Sequence, residues 1–531
     1  MASSLRRSGR RRLLLSTTAV VLGAVLGLSA CSGSGESAPA SSETLTVGLP
    51  GSLGSLYVGQ EAGVLNYYVS ALSQEGLVAL DSVGNLVPAL ATSWDQPDAK
   101  TYVYEIRDDA KFQNGEPVTI DDILYSIEQS GDAEVSPQFA YWYENVDSVE
   151  QTGDWQITIT LKEPDVGFVW VPSASAGLTI APKSFWEANA GEVGSATALL
   201  MGTGPYQVTE FVPDSHITLD AVDTWWGGEP EFESVRFEVI PDDNTRLLAL
   251  EKNNIDLAFN VPLQQAESWA KTSGVTVDSI PNRSYEGLTF DTSVAPFDDV
   301  HVRKAIAMSV DRDSIAEKVF AGRAEVATSI LTPSQLETVG TPEEARATLA
   351  EIPQVEFDLD AAKAELALSD SPDGFTAEIT YPNTVPELGL VAQSMAQNLA
   401  EIGITLEVKE LPISSWIETL GDGVHGLGFM SYNSTTGDPA ELIGWFLGPD
   451  NPANYDNAEV LGTIEQARSE VDLQQRIDLL VQANALAALD TPYLPIVWNV
   501  RTTAVSDTLQ LTDNETFTFV TPWAATATRV K

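Results

Sequence analysis

The sequence predicts an α/β body of at least two domains behind an export leader. Three observations carry that prediction. The chain has 531 residues, more than one hydrophobic core fills. Segments of period-two and period-3.6 apolar spacing alternate through its second half. An uncharged, apolar run near the N-terminus ends on the single cysteine of the chain.

The leader comes first. Arg6, Arg7, Arg10, Arg11 and Arg12 precede the uncharged run Leu13 to Ala30, and Leu28-Ser29-Ala30-Cys31 follows. Small residues before a cysteine resemble a bacterial lipobox, so residues 1–31 are expected to act as a lipoprotein signal and Cys31 to carry lipid. The run is also long enough for a plain membrane anchor, but its Ser, Thr and Gly and the small-small-Cys ending favour the signal. Two or more acyl chains hold a protein stably, at ~0.8 kcal/mol per buried CH₂. The arginine pair leaves both the general and the twin-arginine export routes open. Residues 32–43 read as a flexible Gly/Ser/Pro/Ala tether.

The body is strongly acidic, with 28 Lys and Arg against 76 Asp and Glu in the whole chain and a net charge of −48. Such a surface is repelled by phosphates, which excludes a nucleic-acid partner. It also keeps a protein soluble, so it does not by itself identify a cationic ligand. Twelve Trp, 14 Tyr and 17 Phe exclude a disordered chain. His216, His301 and His425 lie far apart, without metal-ligand spacing; no metal and no cofactor are expected.

Strands are predicted at Thr44 to Val47, Trp155 to Leu161, Val235 to Ile240, Phe375 to Tyr381 and Ile404 to Leu411. Helices are predicted at Asn66 to Leu72, Asn244 to Asn254, Val302 to Phe320, Asp360 to Leu368, Leu388 to Ile402, and Asn457 to Leu489 with a break. Gly84-Asn85, Asn114-Gly115 and Gly204-Pro205 are turn formers. Thr119 before Asp121-Asp122 is a helix cap.

Several phrases stand in order along the body: Glu75-Gly76-Leu77-Val78, Gly84 to Trp94, Ala110 to Thr119, Gly202-Thr203-Gly204-Pro205-Tyr206, Trp225-Trp226-Gly227-Gly228, and Pro296 to Ala305 with Val310-Asp311-Arg312. Together they resemble one family, the peptide/nickel class of ABC-importer solute-binding proteins (dipeptide- and oligopeptide-binding proteins, family 5). Most of these residues are punctuators that serve folding. The resemblance implies a two-lobed periplasmic-binding-protein-like fold (type II, large peptide-binder subclass) with an interlobe cleft and a hinge. Lobe one would comprise 44–284 and a return at 496–531, and lobe two 285–495. It also implies a monomer that captures a peptide or similar small organic solute and delivers it to an importer permease. An oligosaccharide-binding relative and a sensory lipoprotein are the alternatives.

Positions matching the family's ligand contacts are Gln60, Glu61, Phe139, Tyr141, Trp142, Phe429, Tyr432, Asn433, Thr435, Asp438, Trp498 and Asn499. The run Phe139 to Tyr143 reads equally as a core strand; Trp416 and Trp445 read as core. Peptide binders of the family commonly hold the ligand's ammonium with an aspartate three residues before Asp-Pro, where this chain has Thr435 before Asp438-Pro439. That departure disfavours an ordinary free-amine peptide unless Asp438 or Glu61 substitutes. Nickel is a poor fit to three scattered histidines. Asn282 and Arg283, at the first crossover, are expected to shape the hinge.

An enzyme is not expected. Ser268-Trp269-Ala270-Lys271 lacks the companion motifs of penicillin-binding enzymes. Gly421, Gly423 and Gly426 match a dinucleotide string but follow a helix and precede a strand, the reverse of the dinucleotide fold.

Overall fold

The structure, a computed structural model, describes residues 43–530 except 384, 413–414, 417–418 and 420–425. The leader, Cys31, the tether up to 42, Gly421, Gly423 and His425 lie outside the described residues.

A nine-stranded mixed sheet forms the frame. Its edge strand, Leu427–Asn433, pairs with Val275–Phe290, which pairs in turn with Tyr493–Ser506. The order continues through Leu257–Phe259, Thr44–Leu49, Ser234–Val239, His216–Ala221 and Tyr206–Val212, while Glu325–Val326 joins the side of Tyr493–Ser506. Thr44–Leu49 runs parallel to neighbours on both sides. A strand enclosed in this way is covered on both faces, and five of its six residues are buried.

Two strands tie the body together. Val275–Phe290 has 16 residues and Tyr493–Ser506 has 14. At ~3.3 Å per residue the longer spans roughly 50 Å, more than one core. Val275 and Ala504 pack at one end, whereas Leu288, Phe290, Leu494 and Val497 pack in a different core at the other. Their ladder shifts register between Pro281 and Tyr285, where proline supplies no N–H. Both expected crossover points, after 284 and before 496, fall inside these strands.

Lobe one adds an antiparallel sheet of Ala91–Asp98, Thr101–Ile106, Gln156–Leu161 and Val146–Gly153. The helix Ile120–Ser130 packs beside it and opens on a capping box between Thr119 and Asp122. Three of the sequence phrases meet in one knot here. The buried Glu75 carboxylate accepts from Thr203 Oγ1 (2.7 Å), Trp226 Nε1 (3.0 Å) and Trp225 Nε1 (3.3 Å), and Arg107 lies 4.0 Å over the Trp226 ring. Gln113 joins it, donating to the Ser73 and Tyr206 carbonyls and accepting from Gly202 N–H.

Lobe two holds the parallel pair Thr376–Pro382 and Thr405–Leu411, connected through the helix Pro386–Glu401. The expected helix over 302–320 is two helices, Val300–Ala307 and Arg312–Lys318. Asp311 ends the first run because its carboxylate caps the second at Ser314 N–H, 3.0 Å. Residues 140–143 also differ from the strand alternative. Ala140–Tyr143 is a 3₁₀ turn, closed by Trp142 N–H to Phe139 C=O at 3.0 Å.

Candidate ligand site between the lobes

The chain leaves the edge strand at Asn433, turns through Ser434 to Pro439 and enters the helix Ala440–Leu447. This turn is where lobe two touches lobe one. Gly437 lies so close to lobe one that a Cβ there would come within 2.3 Å of the Trp170 ring and of the Gly84 carbonyl. Asp438 is buried against Gly167. It forms a two-pronged pair with Arg476, Oδ1 to Nη1 at 2.8 Å and Oδ2 to Nη2 at 2.9 Å, and accepts from Ala440 N–H at 2.9 Å. Nearby an ion pair does link 285–495 to 44–284, Arg468 Nη2 to Asp165 Oδ2 at 2.9 Å.

Arg283 stands at the junction and is buried. Its guanidinium lies 4.6 Å over the ring of Phe517, on the C-terminal return. It donates to the Ser334 carbonyl at 3.1 Å, and weakly to the Thr436 carbonyl at 3.5 Å. Burial pulls its pKa down to about 10, against the pull of Glu441, Glu337 and Asp438. Asn282 Nδ2 donates to Asn433 Oδ1, 2.8 Å. The pair thus links the crossing strand to the edge strand, the turn and the return segment.

The loop that carries Thr435 is organised by a residue the sequence reading did not single out. Glu441, in the first turn of the Ala440–Leu447 helix, is buried. Its Oε1 accepts from Tyr432 Oη (3.0 Å) and Thr435 N–H (3.1 Å). Its Oε2 accepts from Ser434 Oγ (2.6 Å), Thr436 N–H (3.0 Å) and Thr436 Oγ1. Burial raises its pKa while these donors oppose the rise. A carboxylate has about four acceptor sites, so Glu441 is saturated. An aspartate at 435 would bring a second negative charge onto the same donors. Thr435 therefore belongs to a self-satisfied clamp.

Aromatic side chains face this clamp from both lobes. Tyr141 retains 43 % of its surface exposed, yet burial by surrounding protein is the largest cause raising its phenol well above the usual range, followed by the charge of Glu441 and by Tyr67. Tyr432, half-buried, has the same causes with Tyr141 among them. Each stacks on a tryptophan: Tyr141 on Trp142 at 4.7 Å and 32°, Tyr432 on Trp445 at 5.4 Å and 34°. Trp445 is 40 % exposed, contrary to its expected place in the core, because its helix packs on Leu442, Ile443 and Phe446 instead.

The remaining expected contacts separate cleanly. Phe139 is fully buried, edge-on to Tyr57 at 6.1 Å, Phe429 is buried with Leu288 and Val497, and Trp498 is buried with Tyr285 and Ile330. Trp498 Nε1 donates to the Ser329 carbonyl at 3.1 Å. These three support the wall from behind. Glu61 accepts from Gly54 N–H, Ser55 N–H and Asn66 Nδ2 at 2.8–3.2 Å, and exposed Gln60 reaches the Val135 carbonyl at 3.0 Å; both shape their loop. Neither Asp438, in its ion pair, nor Glu61 stands free to replace the missing aspartate. Asn433 is exposed, and Asn499 Nδ2 donates to Glu286 Oε2 at 3.0 Å.

Comparison with known proteins places this geometry. Bacterial extracellular solute-binding proteins, family 5, match residues 85–454. The glutathione-binding protein GsiB of Salmonella paratyphi A is 24 % identical over 453 residues, 82 % of this chain and 84 % of that protein. Among solved structures, the PBP AgaA of A. tumefaciens R10 in complex with agropinic acid superposes with a TM-score of 0.80 at 22 % identity, covering 92 % of this chain and 99 % of that one. The periplasmic binding protein DppA of Helicobacter pylori, in complex with the peptide STSA, gives 0.78 at 22 % identity, covering 92 % and 98 %. The fold is the two-lobed periplasmic-binding-protein fold, and the chain belongs to family 5 of the bacterial extracellular solute-binding proteins, which serve ABC importers.

Proposed function

We propose that the protein captures a small polar organic solute, a peptide or a peptide-like molecule, between its lobes and delivers it to an importer permease. In this reading Cys31 anchors it by lipid outside the cell membrane, it works as a monomer, and it performs no chemistry on the solute. The observation that carries the reading is the turn Ser434 to Pro439, which seats Gly437 on Trp170 and Gly84, together with the solvent-reaching Tyr141–Trp142 and Tyr432–Trp445 ring pairs. A solute along the edge strand touches both lobes there, and a ligand that touches both favours the closed arrangement. The saturation of Glu441, the pairing of Asp438 and the tying of Glu61 favour a solute whose amine is blocked or bound elsewhere. The two exposed aromatic stacks favour an oligosaccharide as the second reading, since flat rings suit sugar faces.

Calorimetric titration of wild type and Tyr141→Ala with glutathione, di- to pentapeptides, N-acetylated peptides and cello-oligosaccharides tests this. Saturable binding by one class, weakened at least 10-fold in Tyr141→Ala, supports the reading. Binding unaffected by Tyr141→Ala, or none from any class, overturns it.

A further inference from the structure

Glu286 lies in the C-terminal third of Val275–Phe290, only 4 % exposed. On its face of the sheet stand Ser284 on the same strand, Ser431 and Asn433 directly opposite on the edge strand, and Asn499 on Tyr493–Ser506. Ser431 and Asn433 are exposed and Asn499 is half-buried, so this polar strip opens to solvent at the sheet edge. Further along the same face Leu288, Phe290, Phe429 and Val497 close into the core.

Six carboxylates are buried among the described residues: Glu75, Asp256, Glu286, Asp291, Asp438 and Glu441. Five are satisfied. Asp256 meets Arg529 and Thr46 N–H; Asp291 takes Ser293 N–H, Ser293 Oγ and Asn454 Nδ2; Glu75, Asp438 and Glu441 have the partners given above. Glu286 takes one hydrogen bond, from Asn499. No donor meets its Oε1, which is not among the buried unpartnered atoms and so reaches solvent, and no cation is paired with it among the described residues. The charge of another carboxylate, Glu387 in the first turn of Pro386–Glu401, adds to burial in disfavouring its ionised form. Two residues away on the same face, Ser284 Oγ is buried without a partner. Ionising a buried carboxyl without a paired cation is costly, and the cost is relieved either by a proton or by an entering cation.

We propose that Glu286, with Ser284, Asn499 and Glu387 around it, is the subsite for a positively charged group of the solute, an ammonium or a guanidinium. This rests on the reading that the solute lies along the edge strand. From that edge a solute reaches Tyr432 on one face and the Glu286 strip on the other. The subsite supplies the countercharge that Thr435, Asp438 and Glu61 do not. Burial, and then Glu387, push the Glu286 carboxyl up to about 7. Entry of a cation favours its ionised form, so binding near neutral pH releases a proton.

The test pairs N-acetyl-Ala-Ala-Arg amide with N-acetyl-Ala-Ala-citrulline amide, and N-acetyl-lysine amide with N-acetyl-norleucine amide, at pH 8, by calorimetry and melting temperature. The proteins are wild type, Glu286→Gln and Tyr141→Ala. We expect wild type to favour the charged member of a pair at least 10-fold and Glu286→Gln to lose that preference to within 2-fold. Equal binding of charged and neutral members by wild type, an undiminished preference in Glu286→Gln, or no stabilisation by any charged probe overturns the proposal. Neutral binding that Tyr141→Ala abolishes, without charge preference, would refute the subsite while leaving the cleft reading standing. A Glu286-dependent preference that Tyr141→Ala leaves intact would keep the subsite and refute the cleft reading.

Discussion

Arg476 and Asp438 decide whether the Asp-Pro turn is built for the solute or for the fold. Both are buried, and both carboxylate oxygens meet guanidinium nitrogens at 2.8–2.9 Å. Removing one partner of such a pair leaves the other charge uncompensated, at a cost of about 3–5 kcal/mol, whereas replacing both by neutral groups of similar volume is often nearly neutral. Arg476→Met also loses the Nε bond to the Ala467 carbonyl, 3.2 Å, about 1 kcal/mol more. The expected cycle in urea unfolding is a loss of ~4–5 kcal/mol for Arg476→Met, ~2–4 for Asp438→Asn, and a double variant more stable than Arg476→Met. Solute affinity of the folded Asp438→Asn protein is expected to fall less than 3-fold. If Arg476→Met costs under ~1 kcal/mol, or Asp438→Asn keeps its stability and loses binding, Asp438 serves the solute and the account of the turn is wrong.

Glu286→Gln carries a pH signature. A carboxyl at about 7 when folded and 4.5 when unfolded holds more protons in the fold across that window. Wild-type stability should therefore fall as pH rises from ~4.5 to ~7, by about 3 kcal/mol at most; melting curves should show Glu286→Gln gaining on wild type over that range. Gly437→Ala places a methyl within 2.3 Å of the Trp170 ring and the Gly84 carbonyl and should weaken solute affinity at least 5-fold in calorimetry, since backbone yields little. Arg468→Ala removes a part-exposed interlobe pair worth about 0.2–1 kcal/mol. Its effect on affinity should stay below 5-fold and vanish in 0.5 M salt.

The parts of the fold legible in sequence are those where local chemistry and long-range packing agree. Thr119 and Asp122 form the cap their spacing announces, and period-two patterning at Gln156–Leu161 matches its alternating burial. Arg283 is buried against Phe517 and Asn282 bonds to Asn433 on the edge strand. Where reading stopped short, the deciding partner was distant or the pattern ambiguous. Apolar spacing runs through 302–320, and only the cap at Asp311 breaks it. Family positions marked Phe139, Phe429 and Trp498, but alternation gives two faces without saying which meets solvent. Thr435 looked like a lost countercharge; its meaning lies in Glu441, past a proline turn. Three hydroxyl residues in a row before Asp-Pro were the available signal for a buried acceptor. Glu286 had a weaker one, an acid flanked by Tyr285 and Gly287 in a strand that continues into an apolar core.

Closure of the lobes on a solute is the claim on which everything else depends. Small-angle X-ray scattering of the protein, with and without the probe that most raises its melting temperature, measures it directly. The account predicts a smaller radius of gyration with solute, and no such change in Tyr141→Ala at the same concentration. A bound solute that leaves the radius unchanged, or contracts Tyr141→Ala equally, would contradict capture between the lobes.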